Sequence, residues 1–153
     1  MEPDIFYYTY GDTLIKEKGL MKLTTRSEYA LLALLFLARH YSEEYKTVET
    51  VAAAQSIPRK YLEQIMLALK RARYVRSSKG QHGGYRLAKA PEAVTLAEIV
   101  RLFDGALAPT DSVSEYFYES TPVEKEKKLV SLFKDIRDYA AKKLETTTLA
   151  DVS

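Results

Sequence analysis

The chain has no cysteine and only two histidines, His40 and His82. The missing thiols exclude disulfides, thiolate zinc sites, cysteine nucleophiles and the usual iron–sulfur ligation in one step. Two separated histidines, with no phosphate-cradling loop and no paired acids placed for catalysis, leave nothing from which to assemble an enzyme or a metal site. Long apolar runs are missing too. The longest, Tyr29 to Ala38, has ten residues, half of the roughly 20 that a membrane-spanning helix needs. The first twenty residues carry no basic stretch followed by an extended apolar core, so no secretory leader is expected and the cytoplasm is the expected compartment.

What is present is the composition of an ordinary globular protein, 46% hydrophobic and 29% charged over 153 residues. That is the size of one domain plus one extended element. The net charge of +2 hides an uneven distribution. From Arg59 to Lys89 there are nine basic residues against a single acid, Glu63, a local charge of +8 that leaves −6 for the rest of the chain. A basic segment in an otherwise acidic protein is the footprint of a nucleic-acid binder. On charge alone, a solvated face reads the same way.

Residues 1–20 show neither a helical nor an alternating period. Met21-Lys22-Leu23-Thr24 reads as a second start, and Lys16-Glu17-Lys18-Gly19 is what a purine-rich ribosome-binding tract would encode if translated. The competing reading is a genuine arm whose aromatic residues, Phe6, Tyr7, Tyr8 and Tyr10, pack on a dimer.

From Thr25 onward the pattern is helical. Thr25-Arg26-Ser27-Glu28 has the form of a capping box, in which the two side chains satisfy free backbone donors at a helix start. The helix it opens runs to His40 or Tyr41 and is apolar nearly all round, the mark of a central, buried helix. Thr47 is placed to cap a short helix over Val48 to Gln55. Pro58 suits the first position of a third helix, in which Leu62, Ile65, Met66 and Leu69 form one apolar stripe. The opposite face shows Arg59, Lys60, Glu63, Gln64, Leu67, Lys70 and Arg71, mostly long polar side chains of the kinds that reach base edges and phosphates. Tyr74 to Ser78 and Tyr85 to Leu87 then read as strands around Lys79-Gly80-Gln81-His82-Gly83-Gly84, a hairpin loop that needs glycine backbone freedom. Three helices and a basic β-hairpin make the winged helix-turn-helix order. The third helix fits the major groove, and the wing reaches flanking phosphates or the minor groove.

Thr95-Leu96-Ala97-Glu98 is a second capping box, for a helix through Phe103 that stops at Gly105. A loop follows. Thr121-Pro122-Val123-Glu124 combines a third box with a proline, and a longer helix is expected from Pro122 to Leu144. Its apolar stripe is Leu129, Leu132, Phe133, Ile136, Tyr139 and Ala140. Little of the chain remains to cover that stripe, so it is expected to pair with its copy in a second subunit; folding back on the first helix is the alternative.

The stretches Lys22 to Ala30, Tyr61-Leu62-Glu63-Gln64, Lys79 to Tyr85 and Thr147 to Asp151 are together specific. From Met21 onward the chain resembles the Rrf-type family of bacterial winged helix-turn-helix transcriptional regulators, the IscR/CymR-like proteins. The resemblance implies a mainly α fold with a small β-hairpin wing and a long C-terminal dimerisation helix. It also implies a homodimer on a palindromic double-stranded DNA operator, most commonly as a repressor. Lys60, Glu63 and Gln64 fall where family members approach bases, and Lys79 falls where a wing arginine enters the minor groove. The DNA-binding set that follows is Thr25, Arg26, Arg59, Lys60, Tyr61, Glu63, Gln64, Lys79, Gly80, Gln81, His82, Gly83 and Tyr85. For Glu63, a plain helix-surface role stays open beside base reading.

Cluster-binding relatives carry three cysteines in the loop that here runs from Gly105 to Thr121. This chain has none, so it looks like the cysteine-free branch, with no cofactor and with an effector metabolite or partner enzyme as the signal. Tyr116, Phe117 and Tyr118 are either that effector surface or packing against the dimer helices. The expected organisation is an N-terminal extension (1–20), a winged helix-turn-helix domain (21–105), the loop (106–121), and a dimerisation helix with its tail (122–153). A winged-helix interaction module that no longer reads DNA is the competing function; the retained +8 segment argues against it.

Overall fold

The computed structural model describes residues 6–10, 13–17, 23–42 and 44–153. Helix α1, Thr25–Arg39, is rich in alanine and leucine, which are strong helix formers. Its cap is Thr24, one residue before the expected one: the Ser27 N–H donates to Thr24 Oγ1 at 3.3 Å. The shift has a long-range cause. Asp104, at the far end of another helix, accepts from both the backbone N–H and the hydroxyl of Thr24, a partner that a local motif cannot reveal. Nor is α1 buried all round. Ala30, Ala33, Leu34 and Leu37 are enclosed, while Glu28 and Leu32 are exposed on the other side.

Helix α2, Val48–Gln55, is capped by Thr47 as expected, with the Thr50 N–H donating to its hydroxyl at 3.1 Å. It ends at Ser56 in a left-handed conformation, and α3, Arg59–Arg71, follows with Pro58 as its N-cap and not its first residue. Leu62, Ile65, Met66 and Leu69 have no exposed surface. Each such side chain contributes about 1.5–3 kcal/mol of burial, which holds α3 against α1 and α2 and turns its other face to solvent.

Strands β3, Val75–Ser78, and β4, Gly84–Leu87, pair antiparallel, with Val75 opposite Leu87 and Ser78 opposite Gly84. Lys46 adds a bridge that the pattern did not show: it exchanges backbone hydrogen bonds with Tyr85 at 2.8 and 2.7 Å. Thr95 and Glu98 close the predicted capping box at the start of α4, Leu96–Asp104, and Gly105 ends that helix with φ +82°.

The long helix α5 spans Lys127–Thr146, starting five residues later than expected. Pro122–Lys125 is a separate 3₁₀ turn, and Thr121 makes no cap. The reason lies in the side chains. The Glu124 carboxylate accepts from Tyr118 and Ser120 hydroxyls, and the Thr121 hydroxyl donates to Ser112. These hydrogen bonds hold the Glu124 carboxyl below its ordinary range, that from Tyr118 first. The box residues are present but committed elsewhere.

A last short helix, α6, Leu149–Val152, opens on a box formed by Thr148 and Asp151. Leu149 is fully buried against the central core, and Thr147 and Leu149 exchange backbone bonds with Leu96 and Val94. The tail therefore closes over the winged domain.

The N-terminal segment corrects the aperiodic reading: β1, Phe6–Tyr10, and β2, Thr13–Glu17, pair antiparallel from Phe6 opposite Glu17 to Tyr10 opposite Thr13. β1 is rich in aromatics and β2 carries the β-branched Thr13 and Ile15, with Gly11-Asp12 between them in the sequence, a usable hairpin signal. A period test misses it because the aromatics are consecutive. The second start at Met21 lies outside the described residues.

Candidate nucleic-acid interface

Helix periodicity places Lys60, Gln64, Leu67 and Arg71 in one line opposite the buried stripe of α3, and all four are exposed. Tyr61 is half-buried and meets Tyr29 of α1 edge to face, ring centroids 5.4 Å apart. That contact ties the start of α3 to the first turns of α1, where Thr25 and Arg26 are half-buried. The Arg26 guanidinium lies over the Phe103 ring at 5.3 Å. Thr25, Arg26, Arg59, Lys60, Tyr61, Glu63 and Gln64 are thus carried by two packed helices.

Arg59 is not an isolated cation. Its Nη2 is 2.7 Å from Glu49 Oε1 on α2, and its Nε donates to Glu63 Oε1 at 3.0 Å. Glu63, the one acid of the basic segment, therefore already has a partner in the isolated chain. Glu49 was missed in the sequence, because only tertiary packing brings α2 alongside the start of α3.

The wing is the second group. Lys79, Gly80, Gln81 and His82 are exposed at its tip, whereas Gly83 is buried and Tyr85 half-buried at its base. Gly84 has φ +138°, and a Cβ there would stand 2.3 Å from the Lys46 carbonyl oxygen. Glycine is needed for the bridge that anchors the wing. Arg86 stacks over Tyr45 at 4.6 Å and Lys89 over Tyr74 at 4.8 Å. The Tyr74 hydroxyl donates to Glu98 at 3.3 Å; burial first, then the Glu98 charge and this hydrogen bond, push the phenol above its ordinary range. Lys60, Lys70, Arg71 and Lys79 make no ion pair among the described residues.

Away from these groups, α5 buries none of its side chains. Leu129, Leu132 and Tyr139 of the predicted stripe are 42%, 51% and 71% exposed, and Phe133, Ile136 and Ala140 are half-buried. Arg101 pairs with Glu145, and Arg137 Nη1 donates to the Val113 carbonyl at 2.7 Å, so polar contacts hold the helix to α4 and the loop. That loop packs Ala108 and Val113 inward and leaves Tyr116, Phe117 and Tyr118 exposed. Among the described residues, no group of three or more His, Cys, Asp or Glu is placed to hold a metal.

A family model described as "Rrf2: Iron-dependent Transcriptional regulator" matches residues 23–153. The HTH-type transcriptional regulator CymR of Bacillus subtilis (strain 168) is 31% identical over 133 residues, covering 87% of this chain and 90% of its own. The solved structure of CymR, the global cysteine regulator of B. subtilis, matches with a TM-score of 0.70 at 30% identity, covering 86% of this chain and 95% of that one. IscR of T. potens matches with a TM-score of 0.66 at 27% identity, over 86% and 85% of the two chains.

Proposed function

Because the chain belongs to the Rrf2 family of DNA-binding transcriptional regulators, we propose that it is a cytoplasmic repressor acting as a homodimer on a palindromic operator, without an iron–sulfur cluster. The observation that carries this reading is the pairing of an outward polar stripe on α3 with a wing whose base is pinned by Lys46 and Gly84. An α-helix fits the major groove, and the wing supplies a second, basic contact. Lys60, Glu63 and Gln64 read base edges. Thr25, Arg26 and Arg59 meet phosphates with Tyr61 positioned beside them, and Lys79 to Gly83 with Tyr85 form the wing contact. Lysine at 79 is a compact, strongly hydrated charge that suits a narrow minor groove less well than a guanidinium.

The family description names iron, and the donor set of this chain does not fit an iron–sulfur cluster. Such clusters take thiolates, or histidine beside thiolates. Between Gly105 and Thr121 the chain offers hydrocarbon, hydroxyls and carboxylates. Ala108 and Val113 are turned into the fold, and the hydroxyls of Ser112 and Thr121 bond each other. The signal is instead an effector metabolite or a partner enzyme acting on the dimer. The exposed face of α5 supports the dimer, and no helix among the described residues is long and apolar enough to cross a membrane.

Fluorescence anisotropy with the chain's own promoter and with scrambled duplex, at several salt concentrations, tests the proposal. Preference for the promoter by about a thousandfold with a steep salt slope is the expected result. Equal, weak binding to both would favour a winged-helix interaction module instead.

A further inference from the structure

Leu67 stands where stability gives no reason for a leucine. It lies on the α3 line of Lys60, Gln64 and Arg71, directly opposite the buried Leu69, and is 40% exposed. Single exposed leucines are ordinary on protein surfaces; the surroundings distinguish this one. Beside it is a recess of about 130 Å³ with Leu67 and Ala68 in its wall and Arg26, Tyr61, Gln64 and Arg71 around it. A water-sized group needs only about 10–15 Å³ by this measure, so the recess has room for several heavy atoms. It combines an apolar wall with arginine and glutamine side chains, on the face proposed to read DNA.

We propose that Leu67 and Ala68 form a pocket for the 5-methyl group of a thymine in the major groove, making Leu67 a specificity-determining residue. The inference rests on the DNA-reading function above and adds a base to it. In the major groove, thymine alone of the four bases presents a methyl group, and an apolar side chain is its complement. Leu67 is three residues beyond Gln64, about 4.5 Å along the helix axis, so the thymine lies near the base pair read by Gln64. Arg26 and Arg71 flank the pocket as phosphate contacts, and their charge keeps the duplex seated over it.

The test starts with the full-length protein selecting its preferred duplex from a randomised pool. Each thymine of that duplex is then replaced by uracil, which removes the methyl group and leaves every hydrogen-bonding atom in place. For the unmodified protein, one symmetric pair of positions should lose about fourfold in affinity per half-site, the worth of one buried methyl. Leu67→Ala should lose most of the preference for the thymine duplex over the uracil duplex. A selected duplex that tolerates uracil throughout would overturn the inference and leave the DNA-reading function intact. So would a Leu67→Ala protein that kept the full preference for thymine. Failure to enrich any sequence would overturn both.

Discussion

Arg59 shows how a residue read as a simple phosphate contact acquires a competitor. Glu49 and Glu63 both hold its guanidinium in the isolated chain, so the proposed phosphate contact has to displace or share at least one carboxylate. Exposed ion pairs are worth up to about 1 kcal/mol. Glu49→Gln is accordingly expected to tighten binding to operator and scrambled DNA alike by up to about fivefold, an effect that shrinks as salt rises. Anisotropy titrations at low and high salt measure it; unchanged or weaker binding would mean that Glu49 supports Arg59 instead of competing for it. Gln64 and Lys79 should separate in the opposite way. Gln64→Ala is expected to lose roughly 1–3 kcal/mol of discrimination at one base position, whereas Lys79→Ala weakens all sequences uniformly. Competition with single-base operator variants distinguishes the two, and equal losses on specific and random DNA for Gln64→Ala would remove it from the base-reading set.

Among the elements, the wing depends on backbone fit more than on side-chain packing. Gly84→Ala sets a methyl group against the Lys46 carbonyl in a backbone conformation that alanine resists. The expected cost is about 2–4 kcal/mol, seen as a fall in Tm of about 5–15 °C by circular dichroism. Gly80→Ala is the control. Its φ of +99° is also unfavourable, but its Cβ would meet nothing within 4 Å, so about 1 kcal/mol is expected from strain alone. Equal melting of the two variants would show that the Lys46 bridge does not govern the wing. The elements also show which local motifs can be trusted. Thr95 and Glu98 form the box that their spacing announces. Thr121 and Glu124 have the same spacing and form none, because Ser112, Tyr118 and Ser120 take their side chains. A motif describes what two residues can do for each other, and only the rest of the fold decides whether they are available.

For the whole molecule, the open question is what covers α5. Leu129, Leu132 and Tyr139 of its apolar stripe are exposed in the single chain, and pairing with a second copy is the proposed answer. Leu132→Asp is then expected to convert a dimer to a monomer in analytical ultracentrifugation with an unchanged far-ultraviolet spectrum. It should also weaken operator binding at least about a hundredfold, since two linked half-sites bind far more tightly than one. Native protein that sediments as a monomer would overturn the dimer. Much of this architecture was legible in the residues themselves. The four-residue apolar stripe of α3 is a periodicity and the wing loop a cluster of glycines; both are local signals, and both were read in place. The basic segment is equally local, so the DNA-binding class followed from charge and order. Long-range pairing left no local trace. Asp104 moved the α1 cap to Thr24, Lys46 became the wing's third partner, Glu49 reached Arg59, and Leu149 folded the tail onto the core. Sequence thus determined most of the helices, the wing and the polar face of α3, because propensity and periodicity act over a few residues. Tertiary structure decided which polar groups of different elements meet, because those partners lie ten residues or more apart and only packing brings them together.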